Sequence, residues 1–443
     1  MLNQLTTAIE KLSPRLRKII TNISWLFADR ILRLGVGVIV VALIARYLGL
    51  QQFGLFSYAS AFVALFYTFA GLGLERIVVR DIVHDPSCKN ETLGTAFVLK
   101  LLGGTITSLL AITTISLVRP NDTLSRWLVG SLAAITIFEA FDAIDFWFQV
   151  QVKSKYTVLA KNTAFIIVTL IRITLIQMQA PLIAFAWATL VEAMLGAIGL
   201  VIAYKFNKQT LLTWRPSFSR AKSLLRESWT LIIAGVAIMI YLRIDQVMLG
   251  QMVGDEAVGI YAVTTRIASV WYFIPIGIVA SVAPSITEAK RVSETLYYSR
   301  LQKLLNLMAI LAYSIAIPMT FFAKPILVIM FGEDYASGGN VLVILVWTGM
   351  FWFLGICKSQ IWIINEGRTK YNLIEKCLGA ILNILLNFWL IPICQETGAA
   401  IATLISYAFV DYLMCFIYPP ARRVGWAMTK ALTLNFFVQL KQN

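Results

Sequence analysis

Long apolar segments separated by short polar ones dominate the chain. Twelve segments are each about 20 residues long, the length that an α-helix needs to cross the hydrocarbon core of a bilayer. The pattern predicts an all-α integral membrane protein with about 12 transmembrane helices, which we number as the first to twelfth spans. They cover residues 24–48, 54–73, 95–118, 127–149, 157–178, 181–204, 229–249, 258–285, 303–323, 338–357, 372–392 and 398–418.

The amino-acid composition excludes a water-soluble protein. Of 443 residues, 59% are hydrophobic and only 14% are charged, whereas soluble proteins have about 25% charged residues. The 5 cysteines form no CxxC pair, and the single histidine, His84, lies in a polar loop. The sequence therefore indicates no catalytic residue, no metal site, no cofactor and no disulfide framework.

The distribution of basic residues predicts the orientation in the membrane. Alternating the loops between two sides places 26 of the 38 Lys and Arg on one side, including Lys358, and only Arg119, Arg126 and Lys324 on the other. Cytoplasmic loops retain basic residues, so both chain ends are predicted to be cytoplasmic. Because topology accounts for most of the net charge of +15, the charge is no evidence for a nucleic-acid partner.

The two halves of the chain share a sequence pattern. Lys153-Ser-Lys-Tyr156, followed by Lys161, recurs as Arg368-Thr-Lys-Tyr371, followed by Lys376. Each half has six spans, so the repeat is parallel and predicts two pseudo-symmetric six-helix bundles around a central cavity. The predicted segments are a cytoplasmic N-terminal segment 1–23, an N-lobe 24–204, a basic cytoplasmic linker 205–228, a C-lobe 229–418 and a cytoplasmic or interfacial tail 419–443.

Ionisable residues inside the spans are candidate functional groups, because each costs at least ~2.5 kcal/mol at the bilayer centre. Guanidinium groups match phosphate oxygens, so basic residues in the spans predict an anion-binding cavity. The alternatives are ion pairing, with Asp29 on the same helix or with Asp245 across helices, or outward snorkelling of Arg243 and Arg266. Near span ends we expect snorkelling, and this applies to Arg46, Lys161 and Lys376. The predicted anion-binding set is Arg30, Arg33, Lys100, Arg243 and Arg266.

Acidic residues inside the spans are candidates for ion coupling. A carboxylate in a cavity of low dielectric can carry a proton or cation, and this favours Glu139 and Asp142 on the fourth span and Asp245 on the seventh. Asp145 and Gln149 continue the polar stripe of the fourth span. The alternative is that these two lie at the cytoplasmic interface and pair with a lysine, Lys153 or Lys155.

Short motifs along the chain point to a family. Arg46-Tyr-Leu-Gly49 precedes Phe53-Gly54-Leu-Phe-Ser-Tyr58, Gly71-Leu-Gly-Leu-Glu-Arg76 ends the second span, and Asn383, Asn387 and Leu390-Ile-Pro392 precede Gly398-Ala-Ala-Ile-Ala-Thr403. In these motifs, spread over residues 15–420, the chain resembles the Wzx-type polysaccharide flippases of the multidrug/oligosaccharidyl-lipid/polysaccharide exporter superfamily.

The resemblance implies a mechanism and partners. Two six-helix bundles would open alternately to each side and move undecaprenyl-diphosphate-linked saccharide from the cytoplasmic to the outer leaflet, beside polysaccharide polymerase and chain-length machinery. Cavity arginines would bind the diphosphate, and Arg30, Arg33, Arg243 and Arg266 fit that role. The expected protein is thus a flippase for O-antigen or exopolysaccharide units in the bacterial inner membrane, and not an enzyme.

Two other functions remain open from the sequence. A drug or cation antiporter of the same superfamily would favour a net acidic cavity, and the nine basic against eight acidic residues in the spans oppose it only weakly. A polysaccharide polymerase or ligase usually needs a sizeable outward loop for its chemistry. The outward loops of this chain are short, which disfavours an enzyme.

Overall fold

The computed structural model describes residues 14–433, which form helices and no strand. Ten helical stretches within this range are long and apolar enough to cross a membrane. Two of them, Ser24–His84 and Thr369–Ile417, each contain two predicted spans. The two spans are separated where the backbone leaves helical geometry, at Gly49 in the first stretch and at Gln395 in the second. The predicted fold class and the twelve spans are thereby confirmed.

The helices match the predicted spans closely, with short 3₁₀ or π turns between some of them. Their bounds are Pro14–Gly71, Glu75–His84, Lys89–Val118, Thr123–Ala133, Ile135–Phe138, Asp142–Val150, Lys155–Gln177, Leu182–Phe206, Phe218–Met252, Asp255–Val270, Phe273–Val292, Glu294–Phe331, Gly339–Cys357, Ile363–Asn365, Thr369–Ala408, Met414–Ile417 and Arg422–Leu432. The break between the first two spans falls on Gly49, whose φ of 71° is one that glycine adopts readily.

The chain forms two compact units. Within the described residues, the first unit comprises 14–47 together with Phe62–Met239, and the second comprises Leu48–Ala61 together with 240–433. The chain therefore passes between the units at the end of the first span, inside the second span and inside the seventh span. The lobe limits 24–204 and 229–418, which come from the sequence repeat, remain a proposal.

A close crossing of two helices explains part of a sequence motif. Within the second unit, a Cβ added to Gly54 would lie 1.7 Å from the backbone oxygen of Asp255, and one added to Gly259 would lie 2.6 Å from that of Leu50. Only residues without a side chain allow this approach. Gly54 of the Phe53–Tyr58 motif is thus a packing requirement.

The segment 205–228, which we expected to be a linker between lobes, is ordered on the first unit. The backbone N–H of Ser217 donates to Thr95 Oγ1 at 3.0 Å, and the Arg220 guanidinium lies 2.8 Å from Asp81 Oδ2. The long helix Phe218–Met252 begins within this segment. Its last residues are therefore the first turns of the helix that carries the seventh span.

The tail contains a helix that is too short to cross a membrane. Arg422–Leu432 has 11 residues and is about 16 Å long, against roughly 30 Å of hydrocarbon. It packs on the helix of the ninth span, where Tyr313 donates its hydroxyl hydrogen to Leu432 O at 2.9 Å. Residues 1–13 and 434–443, which belong to the predicted terminal segments, lie outside the described residues.

Candidate functional site

The first unit contains a partly open cavity of about 280 Å³ that gathers charged residues from four spans. Apolar and small residues, including Phe138, Leu200 and Gly196, form the rest of its wall. Three sequence-predicted site residues line it: Arg33 of the first span and Glu139 and Asp142 of the fourth span. Lys161 of the fifth span and Glu192 of the sixth complete the charged lining.

Ion pairs hold the basic residues of this region. Lys161 Nζ lies 2.8 Å from Asp142 Oδ1, and Lys100, which is only 5% exposed, lies 3.8 Å from Asp142 Oδ2. The expectation that Lys161 snorkels is wrong, because Asp142 satisfies its charge inside the unit. The sequence could not reveal this contact, since it joins two spans through their packing.

A second group of ion pairs surrounds Glu192. The expected pair within the first span is confirmed, with Arg33 Nε 2.9 Å from Asp29 Oδ1. Arg33 also lies 3.8 Å from Glu192 Oε1, and Arg172 lies 3.1 Å from Glu192 Oε2. Glu192 and Arg172 were counted among the charges of the spans but given no role. The structure places Glu192 in the cavity lining with Arg33, and Arg172 behind Glu192.

Glu139 differs from the other acids of the cavity. Tyr67 lines the cavity with it, and neither Lys100 nor Lys161 forms a salt bridge with it among the described residues. Its Oε2 atom is buried without a hydrogen-bond partner in the described part of the chain. Glu139 is therefore a cavity carboxylate that retains an unused acceptor.

Asp145 and Gln149, at the C-terminal end of the polar stripe, have partners other than those we expected. Asp145 accepts hydrogen bonds from Thr157 at 2.5 Å and from Gln149 at 2.9 Å, and Gln149 also donates to Glu75 at 3.0 Å. The alternative that Asp145 and Gln149 pair with Lys153 or Lys155 is wrong. Neutral donors replace the lysines: Thr157 of the fifth span and Gln149 of the fourth span itself.

In the second unit, Asp245 lies at the centre of a buried polar network. Its carboxylate accepts hydrogen bonds from Tyr261 and Thr403, each at 2.7 Å, and from Asn387 at 2.5 Å. Asn387 also donates to Asn383 at 3.0 Å. Asp245 is 4% exposed and has no salt bridge within residues 14–433. The Asn383, Asn387 and Thr403 positions of the sequence motifs thus converge on one carboxylate.

Three arginines of the predicted anion-binding set are exposed at the protein surface: Arg30, Arg243 and Arg266. None of them has an acidic partner among the described residues. Arg243 is 9 residues before the end of its helix at Met252, and Arg266 is 11 residues after the start of its helix at Asp255. A short turn joins Met252 to Asp255. At 1.5 Å per residue, Arg243 and Arg266 each lie about 14 to 16 Å along their helices from this turn. They are close enough to repel each other electrostatically.

A buried lysine escaped the sequence analysis. Lys358, which we counted as a loop residue, is 0% exposed; its Nζ lies 2.9 Å from Glu375 Oε2 and 2.7 Å from the carbonyl oxygen of Val410. The tenth span continues past its predicted end through the π turn Lys358–Trp362, which brings the side chain inward. The expectation that Lys376 snorkels is also wrong, since it lies 3.1 Å from Asp411.

We predict that Lys358→Met destabilises the protein by about 3 to 5 kcal/mol, because it leaves the Glu375 charge and the Val410 carbonyl buried without a partner. The melting temperature of the purified chain in detergent measures this. Lys303→Met, which changes an exposed lysine, is the matched control and should melt like the parent chain. The double variant Lys358→Met, Glu375→Gln should recover part of the loss; equal melting of Lys358→Met and the control would contradict the role of the pair.

Comparison with known proteins identifies relatives of this architecture. The probable low-salt glycan biosynthesis flippase Agl15 of Haloferax volcanii is 22% identical over 429 residues, which is 92% of this chain and 87% of that protein. The lipid II flippase MurJ in an inward closed conformation has a TM-score of 0.71 at 14% identity, over 96% of this chain and 93% of that chain. An inward-facing multidrug resistance MATE family transporter of the MOP superfamily has a TM-score of 0.70 at 13% identity, over 92% and 99%.

Two family models match the sequence. The model described as MatE matches residues 231–389, in the second half of the chain. The model described as polysaccharide biosynthesis protein matches residues 19–290, which is more than half of the chain and contains most of the charged residues described above. The chain therefore belongs to the polysaccharide biosynthesis protein family, and its resemblance to polysaccharide flippases of the multidrug/oligosaccharidyl-lipid/polysaccharide exporter superfamily is confirmed.

Proposed function

We propose that this chain is a flippase for a lipid-linked glycan, a transporter and not an enzyme. Its family membership supports this, as do the similarity to the glycan biosynthesis flippase Agl15 and the fold that it shares with the lipid II flippase MurJ. The finer proposal is that it moves undecaprenyl-diphosphate-linked O-antigen or exopolysaccharide units across the inner membrane by alternating access. Polysaccharide polymerase and chain-length proteins would act next to it.

The observation that carries the proposal is the set of three exposed arginines in spanning helices without acidic partners within the described residues. A guanidinium group in contact with lipid tails is costly, so these groups require water or an anionic ligand. Arg243 and Arg266 lie at a similar depth and repel each other, and an anion bound by both relieves this repulsion. A diphosphate has the charge and the oxygen geometry for bidentate contacts with arginine.

Arg30, Arg243 and Arg266 are our candidates for the diphosphate role. Arg33 and Lys100 belong to the same sequence-derived set, but acidic residues already neutralise them in the first unit. A diphosphate would have to displace these carboxylates in order to bind there. We therefore propose that Arg33 and Lys100 shape the cavity of the first unit.

The orientation is proposed from the basic loops. An even number of spans places both chain ends on one side of the membrane, and retention of Lys and Arg in cytoplasmic loops makes this the cytoplasmic side. The correction for Lys358, which is buried and not in a loop, removes one residue from the basic side and does not change the asymmetry.

We predict that Arg243→Gln and Arg266→Gln each slow the transfer of an undecaprenyl-diphosphate-linked saccharide between leaflets at least tenfold, because each removes a charge-assisted contact. A fluorescent lipid in proteoliposomes, quenched from one side, measures the rate. Arg291→Gln changes an exposed arginine at a helix end and serves as the control, which should retain the parent rate. Parent rates for both variants would refute the diphosphate role.

Ion coupling is proposed for Asp245, with Glu139 and Asp142 as the candidates in the first unit. Asp245 is the best supported of the three because neutral donors alone contact it, whereas Asp142 is neutralised by Lys161 and Lys100. A buried carboxylate whose contacts are all neutral donors suits a proton or an alkali cation. Binding there would compensate the buried charge.

We predict that Asp245→Asn abolishes the acceleration of lipid transfer by an ion gradient and leaves the slow transfer without a gradient. The asparagine has nearly the same shape but no charge to compensate. Proteoliposomes with an imposed proton or sodium gradient, compared with and without the matching ionophore, measure this acceleration. The exposed acid Glu256 provides the control variant Glu256→Gln; an Asp245→Asn protein that still responds to the gradient would exclude Asp245 as the coupling site.

A drug or cation antiporter is the second candidate. The MatE match to residues 231–389 and the fold shared with a multidrug transporter favour it. This alternative would be supported over the flippase if the protein transports a cationic dye as fast as it transports the lipid-linked saccharide, and if Arg243→Gln and Arg266→Gln do not change the rate of dye transport.

A further inference from the structure

The cavity of the first unit contains nearly as much positive as negative charge. Five of its lining residues are acidic or basic: Arg33, Glu139, Asp142, Lys161 and Glu192. Arg33 is held by Asp29 and Glu192, Lys161 is held by Asp142, and Lys100 and Arg172 supply two further positive charges behind the lining. A multiply charged anion would gain little binding free energy in this cavity, because every basic side chain that it could contact already has a carboxylate partner.

The unused polar group in this cavity is an acceptor. Glu139 lines the cavity and forms no salt bridge among residues 14–433, and its Oε2 atom is buried there without a hydrogen-bond partner. A buried acceptor without a partner costs about 1 to 3 kcal/mol. A ligand that donates a hydrogen bond, such as a hydroxyl, removes this cost without adding charge to the cavity.

The other walls present apolar surface beside that acceptor. Tyr67 and Phe138 contribute aromatic rings, and Ala193, Gly196 and Ala197 form a wall of small residues. A sugar ring has hydroxyl groups along its edge and C–H groups on its faces, and so it matches a wall that combines carboxylates with aromatic rings. The volume of about 280 Å³ is at the lower end for ligand pockets and suits roughly one sugar ring.

We propose that this cavity binds one uncharged sugar ring of the lipid-linked glycan, with Glu139 accepting hydrogen bonds from ring hydroxyls and Tyr67 packing against a C–H face. The inference rests on the proposed function and deepens it, since it separates recognition of the sugar from recognition of the diphosphate. Arg33 and Lys161 act as positioning residues that fix Glu192 and Asp142 around the ring. Saccharide selectivity therefore belongs to the first unit.

Binding to the purified full chain in detergent tests the inference. The probes are undecaprenyl diphosphate alone and the same lipid carrying a single N-acetylglucosamine or a single galactose, with dissociation constants measured by native mass spectrometry. The parent chain should bind at least one of the sugar-bearing lipids about tenfold or more tightly than the bare lipid. Sites that hydrogen-bond a hydroxyl discriminate strongly against ligands that lack it.

Two variants test whether the preference for sugar-bearing over bare lipid arises in this cavity. Glu139→Ala and Tyr67→Leu should each bring the affinity ratio of sugar-bearing to bare lipid close to one and leave the affinity for the bare lipid unchanged. Glu333→Ala changes an exposed acid outside the cavity and should keep the parent ratio. Melting temperatures identify a variant that fails to fold, in which case the other variant decides the result.

The outcomes separate this inference from the proposed function. If the parent binds bare and sugar-bearing lipids equally, or if the ratio survives in a folded Glu139→Ala or Tyr67→Leu protein, the sugar site is refuted while the flippase remains. If the parent binds none of the three lipids, the proposed function fails and the sugar site fails with it.

Discussion

The cost of placing an ionisable group in hydrocarbon organises this protein. Each such group must find a partner, water or a ligand, since the bilayer offers neither hydrogen bonds nor high dielectric. Within each unit the cost is met by contacts between spans: Lys161 with Asp142, Arg172 with Glu192 and Lys358 with Glu375. Removing one partner leaves the other as an unpaired charge in a medium of low dielectric, which costs free energy. These pairs therefore constrain which helices can pack together.

The proposed functions rest on the ionisable groups that have no salt-bridge partner among the described residues. Arg243 and Arg266 repel each other, and Arg30 is exposed; these three suit an anion. Asp245 is surrounded by neutral donors, so its charge suits a small cation or proton. Glu139 keeps an unused acceptor in a cavity of balanced charge, which suits an uncharged sugar. We propose that these three kinds of residue divide the recognition of diphosphate, coupling ion and saccharide.

The sequence predicted the spans well because hydropathy over about 20 residues reflects a property of each helix alone. It also identified which charges are unusual, including Asp245 and Glu139. It predicted the Arg33–Asp29 pair within one span but not partners on different spans, because a contact such as Asp245 with Thr403, 158 positions apart, depends on how the spans pack. Lys358 was assigned to a loop since Lys358-Ser-Gln is a polar run at the end of an apolar segment. A π turn, which has no clear hydropathy signal, carries it into the interior.

The most direct measurement uses the unmodified protein and compares its transport of one saccharide on two different lipid carriers. The same fluorescent saccharide is attached to undecaprenyl diphosphate and to undecaprenyl monophosphate, and its transfer between leaflets is followed in proteoliposomes and in protein-free vesicles. The account predicts that the protein accelerates transfer of the diphosphate-linked saccharide and moves the monophosphate-linked one at least tenfold more slowly. Equal rates for the two carriers, or no acceleration over protein-free vesicles for either, would contradict it.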